Sequence, residues 1–362
     1  MPNTKQQFKN IFLGVKTLST IFDLSKQKTQ TQKLINEVLF KESHDVAFKI
    51  VSKYGSESLD YFKTTPDKSI FIYKETLISY AVCDANLIVL GDPVGPRKQI
   101  RAAIKKFQSF CLGHGWRLSF FQCSTKYLDK FKVLGFEKIK IGSEAIVDIE
   151  NFNLDGPKKK DFRNRLRKIE KLGYSMKVYS DNVDETIFNK LKVVSDEWLD
   201  EPNRIERGFS LGYFSRQYLN ESKIMTVEND QGNIVAFINL IYSCKEDQVT
   251  IDLMRKCKDA PSGVMDYIFV KAILELKDRD FKSLSLGLAP MSGFQENEKV
   301  SFTESAVHTI FRRLNFLFNY EGLKVFKDKF ATSWEPKYLI YQNLPQLPML
   351  AFSIKKLLER IE

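Results

Sequence analysis

The chain has 362 residues, 43% of them apolar and 28% charged, which suits two folded domains and excludes a disordered chain. Lysine and arginine number 56 against 45 aspartates and glutamates, and the formal charge of +11 favours an anionic partner: nucleic acid, an anionic membrane surface or a phosphorylated ligand. Five cysteines without a CxxC pair and three scattered histidines spell neither a disulfide framework nor a zinc site, and no apolar run reaches the roughly 18 residues that would span a bilayer.

Phe8, Phe12, Val15, Leu18 and Phe22 recur at helical spacing, with Lys9 and Lys16 between them. This predicts an amphipathic helix that packs on the body or lies on lipid, and with the polar residues after it forms a segment over 1–40. A first folded domain is expected over 41–155. DVAFKIVSKYG reads as a helix, SIFIYKETLISYAVCDANLIVLGDPVG as neighbouring strands, and QIRAAIKKFQSFCLGHGW as an amphipathic helix ended by glycines. RLSFFQCS and KIKIGSEAIVDI read as strands around a short helix, the pattern of an α/β or α+β sheet domain.

Composition then changes. Over 156–175 the chain carries Lys158, Lys159, Lys160, Arg163, Arg165, Arg167, Lys168 and Lys171 against Asp161 and Glu170, while Phe162, Leu166 and Ile169 keep helical spacing. A basic connecting helix with one apolar seam follows, suited to phosphates. A second unit over 176–345 repeats the order: a helix, the hairpin KIMTVENDQGNIVAFINLIYS, the strand VTIDLMR, the apolar helix GVMDYIFVKAILELKDRDF, the strand SLSLGLAP and a helix in TESAVHTIFRRLNFLF. Residues 346–362 read as a closing helix.

Two ionisable residues, Asp252 and Arg255, interrupt the strand VTIDLMR, where burial is costly unless they are paired. Strict alternation sends them to opposite faces, so they cooperate only if the strand is bulged or ends there, as strands beside active sites often do. Asp266, near a helix start at Gly263, would add a second carboxylate to the same cleft. Further on, Glu321, Lys324, Lys327 and Lys329 gather cations around one acid.

GDPVGP (91–96), KIGSEAIVDI (140–149), KKKDFRNRLRK, WL…RGFSLGYF (198–214), DLMR…SGVMD (252–266), LGLAPMSG (286–293) and EGLKVFKDKF…WEPKYL (321–339) occur in register from about 43 to about 343. Together they resemble the soluble catalytic portion of the phosphatidylglycerol lysyltransferase, or aminoacyl-phosphatidylglycerol synthase, family. The resemblance implies an α/β (α+β) fold of tandem GNAT-like domains joined by the basic helix. It implies transfer of an aminoacyl group, lysyl first, from aminoacyl-tRNA to a hydroxyl of phosphatidylglycerol at the inner face of the cytoplasmic membrane, with no cofactor or metal. By position Asp252, Arg255 and Asp266 match the family's catalytic strand and helix, and Glu321, Lys324, Lys327 and Lys329 its substrate-binding segment. Lys158, Lys159, Lys160, Arg163, Arg165, Arg167 and Lys168 then fall to the tRNA. The family usually has arginine where Lys324 stands, and its transmembrane flippase part is not in this sequence, which leaves another acceptor open. Other readings are an acetyl-CoA-dependent GNAT acetyltransferase and a non-catalytic RNA- or membrane-binding protein.

Overall fold

The computed structural model describes residues 43–180, 182–202, 204–243, 247–290, 292 and 320–359, with 320 and 321 as backbone alone. The helices expected within 1–40 and within TESAVHTIFRRLNFLF lie outside these residues, as does the Glu321 side chain. The chain clusters into Met1–Val46 and Ala47–Glu362. Of the first unit only 43–46 are described, and they are helical.

In the second unit, helix α1 (47–54) leads to a 3-10 turn at Tyr61–Thr64 and to strands β1 (Ser69–Tyr73), β2 (Thr76–Cys83) and β3 (Asn86–Leu90). Helix α2 (Ile100–Gly113), β4 (Arg117–Cys123), α3 (Leu128–Val133) and β5 (Glu137–Asp148) follow, then the basic helix α4 (Lys160–Lys171). Beyond it come β6 (Ser175–Tyr179), α5 (Glu185–Leu199), α6 (Arg216–Asn220), β7 (Lys223–Glu228), β8 (Ile234–Tyr242), β9 (Gln248–Lys256) and α7 (Val264–Lys277). Strand β10 (Ser283–Pro290), α8 (Tyr320–Asp328), β11 (Ser333–Tyr341) and α9 (Leu347–Glu359) complete it. Sequence periodicity locates most of these elements; β6, the short α6, α8 and β11 escape it.

All eleven strands among the described residues form one sheet in the order β1-β2-β3-β4-β11-β5-β10-β9-β8-β7-β6. Two stretches share one sequence of pairings: β1, β2 and β3 run antiparallel with β4 parallel to β3, and β7, β8 and β9 run antiparallel with β10 parallel to β9. The strands that follow them change places. Strand β5 pairs with β10 and β11 with β4, and β5 and β11 lie against each other at the centre.

Alternation of side chains along the strands sets the two faces. Leu87 and Val89 pack with Ile104 and Phe107 of α2, while Ile88 and Leu90, one residue out of phase, join Leu350 and Ile354 of α9 on the other side. At the other end of the sheet, Ala236, Ile238 and Leu240 pack with Ile268 and Ala272 of α7, which in turn carries Phe162 and Ile169 of α4. The apolar seam of the basic helix is therefore buried, and its charged remainder faces away from that core.

Candidate active site

Parallel pairing of β9 with β10 extends only over Gln248–Thr250 and Ser283–Ser285. Beyond it β9 continues along β8 and β10 along β5, and the two strands part. A cavity of about 560 Å³ opens between them, with Asp252, Met254 and Arg255 on one arm and Leu286, Gly287 and Leu288 on the other. Helices α8 and α9 and the 204–212 segment close its sides.

The bulge that the sequence demanded is present. Ile238 pairs with Met254 and Leu240 with Ile251, so Asn239 alone faces Asp252 and Leu253. The Asn239 side chain accepts the Leu253 N–H at 2.7 Å and fixes the irregularity. It brings Asp252 and Arg255 to the same cavity although they stand three residues apart.

Asp252 is half-buried. Its Oδ2 accepts the Gly212 N–H at 2.9 Å and the Tyr218 hydroxyl. Burial pushes the carboxyl up to about 7, and the two hydrogen bonds and the Arg255 charge only partly oppose this. Arg255, 2% exposed, does not pair with Asp252. Its Nη2 donates to Glu206 at 2.6 Å, its Nη1 to the Ser195 hydroxyl, and its guanidinium lies 5.0 Å from the Trp198 ring. The pair singled out by sequence thus shares a cavity through separate partners.

Lys327 enters from α8, 5% exposed, and its Nζ donates to the carbonyls of Gly287 at 3.1 Å and Leu288 at 2.8 Å. Burial pulls its ammonium down to about 7, against the attraction of Glu144. Those carbonyls point inward because β10 is bulged at Leu286 and Gly287, where Gly287 has φ +75°. Glu144, on the neighbouring β5, accepts from Ser58 and Ser285 and pairs with Lys337 at 2.8 Å, and Lys337 reaches Glu57 at 2.9 Å. Burial would raise the Glu144 carboxyl, but Lys337 and the two hydroxyls outweigh it and hold it below its usual range.

Three of the residues singled out by sequence lie elsewhere. Asp266, 3% exposed, sits in the first turn of α7, where a carboxylate answers the helix dipole. It pairs with Arg165 of the basic helix and with Lys329 at 3.0 Å, and it does not line the cavity. Lys329 is committed to that cluster. Lys324 pairs with Asp328 at 2.7 Å and stacks 5.6 Å from Trp334, also outside the cavity lining. The physical reason is helical phase: α8 turns Lys327 inward together with Leu323, while Lys324 lies on another side of the helix.

The basic helix divides in the same way. Arg163 donates to the Leu154 and Gly156 carbonyls, Arg165 holds Asp266, and Lys159 lies over the Phe152 and Phe162 rings. Lys158, Lys160, Arg167 and Lys168 are exposed. Sequence reasoning passed over Glu144, Trp198, Arg204, Glu206, Gly212 and Tyr218, which line or shape the cavity. Glu144 carried a usable signal, an acid in the middle of the largely apolar strand KIGSEAIVDI.

Among the described residues no cluster of histidine, cysteine, aspartate or glutamate suits a metal, and no helix is long and apolar enough to cross a membrane.

A family model described as "Phosphatidylglycerol lysyltransferase, C-terminal" matches residues 48–341. A phosphatidylglycerol lysyltransferase of Staphylococcus epidermidis is 30% identical over 296 residues, 81% of this chain and 35% of that protein. One from Bacillus subtilis (strain 168) is 29% identical over 310 residues, 85% of this chain and 36% of that protein. The chain therefore spans about a third of the length of the curated relatives it matches. Among solved structures, L-PGS from Bacillus licheniformis is 31% identical with a TM-score of 0.78, over 88% of this chain and 97% of that one. FemX, 9% identical with a TM-score of 0.56 over 86% of this chain and 98% of that one, shares the fold alone, a mixed α/β arrangement. With the model match and the L-PGS likeness both covering most of its length, this chain belongs to the phosphatidylglycerol lysyltransferase C-terminal family.

Proposed function

We propose that this chain moves a lysyl group from lysyl-tRNA to a hydroxyl of phosphatidylglycerol, working on the inner face of the cytoplasmic membrane. The observation that carries the reading is Asp252, a carboxyl raised to about 7 in the wall of a cavity, on a chain that belongs to this family. A base poised near neutral pH suits removal of a hydroxyl proton.

In this reading the acceptor oxygen attacks the carbonyl carbon of the aminoacyl ester. A new C–O bond forms, the bond to the ribose oxygen breaks, and Asp252 passes the acceptor's proton to that leaving oxygen. The reactant is an activated ester, so positioning and stabilisation of the tetrahedral oxyanion account for most of the rate. Lys327 supplies cationic charge for the oxyanion or a phosphate, and Arg255 holds the 206 segment against the cavity through Glu206. The exposed cations Lys158, Lys160, Arg167 and Lys168, on α4 and the turn before it, take the tRNA backbone. We read the two repeated runs of strands as tandem GNAT-like units over 41–155 and 176–345, joined by α4.

The acetyl-CoA reading has less support. A helix N-terminus is where such a cofactor's pyrophosphate would seat. Here Asp266 fills the first turn of α7, and the Arg165 stem lies 3.4 Å from where a Cβ on Gly263 would stand.

Incubation with lysyl-tRNA and phosphatidylglycerol vesicles, followed by mass spectrometry of the lipid, tests the proposal. A lysyl ester of the lipid is expected from the wild-type chain and a loss of at least about 100-fold from Asp252→Asn. Absence of any aminoacylated lipid with a full set of charged tRNAs would reject it.

A further inference from the structure

We propose that Arg204 and Arg255, which share the Trp198 ring, form a seat for a phosphodiester monoanion in the cavity; the inference rests on the transfer reading and names the part of a substrate that this wall holds. The Arg204 guanidinium lies 4.7 Å from the Trp198 ring centroid and that of Arg255 5.0 Å. One indole thereby brings two fixed cations together. Each has one carboxylate partner, Glu201 for Arg204 and Glu206 for Arg255, both at 2.6 Å.

Those partners do not use up the donors. Nη1 of Arg204 and Nε of Arg255 are buried and meet no acceptor among the described residues. A buried charged donor without an acceptor is costly and uncommon. Two of them on residues lining one cavity, beside one ring, call for acceptor oxygens that arrive with a ligand. Guanidinium groups stay protonated and offer donors in a planar fork that matches paired phosphate oxygens.

The charge of the cavity wall points the same way. Arg204, Arg207, Arg255, Lys327 and Lys355 line it against Glu144, Glu206 and Asp252. The carboxyl of an aminoacyl donor is esterified, which leaves phosphodiesters as the anions that both substrates of the proposed reaction bring. One belongs to the lipid headgroup and one to the 3′ end of the tRNA.

Calorimetry on the full chain with two probes separates these sources. Glycerophosphoglycerol is the lipid headgroup without acyl chains, and the dinucleotide cytidylyl-adenosine carries the RNA-end phosphodiester. We expect one probe to bind the wild-type chain, more weakly as salt rises, and Arg204→Gln to lose about tenfold in affinity for it. Arg204→Lys would recover little, because an ammonium has no fork. A loss confined to glycerophosphoglycerol assigns the seat to the lipid, and a loss confined to the dinucleotide assigns it to the RNA end. Failure of both probes to bind, or equal affinity of wild type and Arg204→Gln for each, overturns the proposal. Should Arg204→Gln not fold, Trp198→Leu takes its place, with the same loss expected. Lysyl transfer measured in parallel keeps the two readings apart: its absence in the wild type defeats the transfer reading, while probe binding alone decides the seat.

Discussion

The backbone N–H of Gly212 donates to the Asp252 carboxylate at 2.9 Å. Only glycine allows this approach, since a Cβ at position 212 would fall 2.0 Å from the Tyr218 ring. The ring is buried, and its hydroxyl holds the same carboxylate oxygen. Gly212→Ala must therefore displace either the amide or the ring from Asp252. The expected result is a destabilisation of about 1–3 kcal/mol, as for other overpacked cores, with transfer activity reduced more than tenfold. Thermal unfolding and steady-state kinetics on the same preparation check both halves.

The Tyr218 hydroxyl favours the ionised form of Asp252, so its removal raises the carboxyl further. Transfer is predicted to rise with pH towards about 7 in the wild type, as Asp252 loses its proton, and to fall above it as Lys327 loses its own. In Tyr218→Phe the midpoint moves up by about one to two pH units, the equivalent of a hydrogen bond to a charged group. A pH–rate profile with an unmoved midpoint would remove Asp252 as the titrating base.

The same raised carboxyl has a consequence for stability. The folded-state pKa lies above the unfolded one, so the stability it contributes is full below about pH 4 and is lost as pH rises through about 7. Asp252→Asn keeps an acceptor for Gly212 and Tyr218 and cannot ionise. Its melting temperature is expected to exceed that of the wild type at pH 8 and to match it near pH 4. Thermal scans at the two pH values decide this, and a mutant less stable at pH 8 contradicts it.

Asp266 behaves oppositely. Its substitution by alanine leaves Arg165 and Lys329 without their shared acid and loosens the basic helix from α7. The expected cost is about 1–2 kcal/mol in unfolding free energy, because the two cations left behind are part-exposed. Activity per folded molecule should stay within a few-fold of wild type at low salt. A full loss of activity with unchanged unfolding would return Asp266 to the chemistry.

Reversal of the exposed cations Lys158, Lys160, Arg167 and Lys168 to glutamate should raise the KM for aminoacyl-tRNA and flatten its dependence on salt. Each lost phosphate contact lowers the slope of log affinity against log salt by about 0.7 to 0.9. Arg163→Gln, which removes a brace on the Leu154 and Gly156 carbonyls, should instead lower stability. Filter-binding titrations across a salt series separate the two.

Most elements were legible because they are amphipathic with a clear period: α2, α7 and the β7–β8 hairpin could be read from residue spacing alone. The place of Asp252 in the cavity wall was legible for a different reason, since it is an acid in an apolar strand and such a residue needs an explanation. Strand β6 escaped because SMKVY is short and lies at the edge of the sheet, so little of it is buried. The partners of Asp252 escaped too. Gly212 acts through a backbone amide, and Tyr218 meets a carboxylate 34 positions further along the chain, a separation that no periodicity encodes. Asp266 and Asp252 look equally promising in sequence. One faces the opening between two parting strands and the other a helix dipole and two cations, and only the fold separates them.

The central position of β11 bears on how the protein is made. On the ribosome, β4 and β5 emerge long before β11, and β11 is the strand that lies between them. Until it arrives, β4 offers a bare edge, and so does the side of β5 that will receive it, each open to wrong partners on other nascent chains. Completion of the sheet is therefore a late closing step, and a nascent chain arrested before residue 333 should depend on chaperones however well its earlier strands have paired.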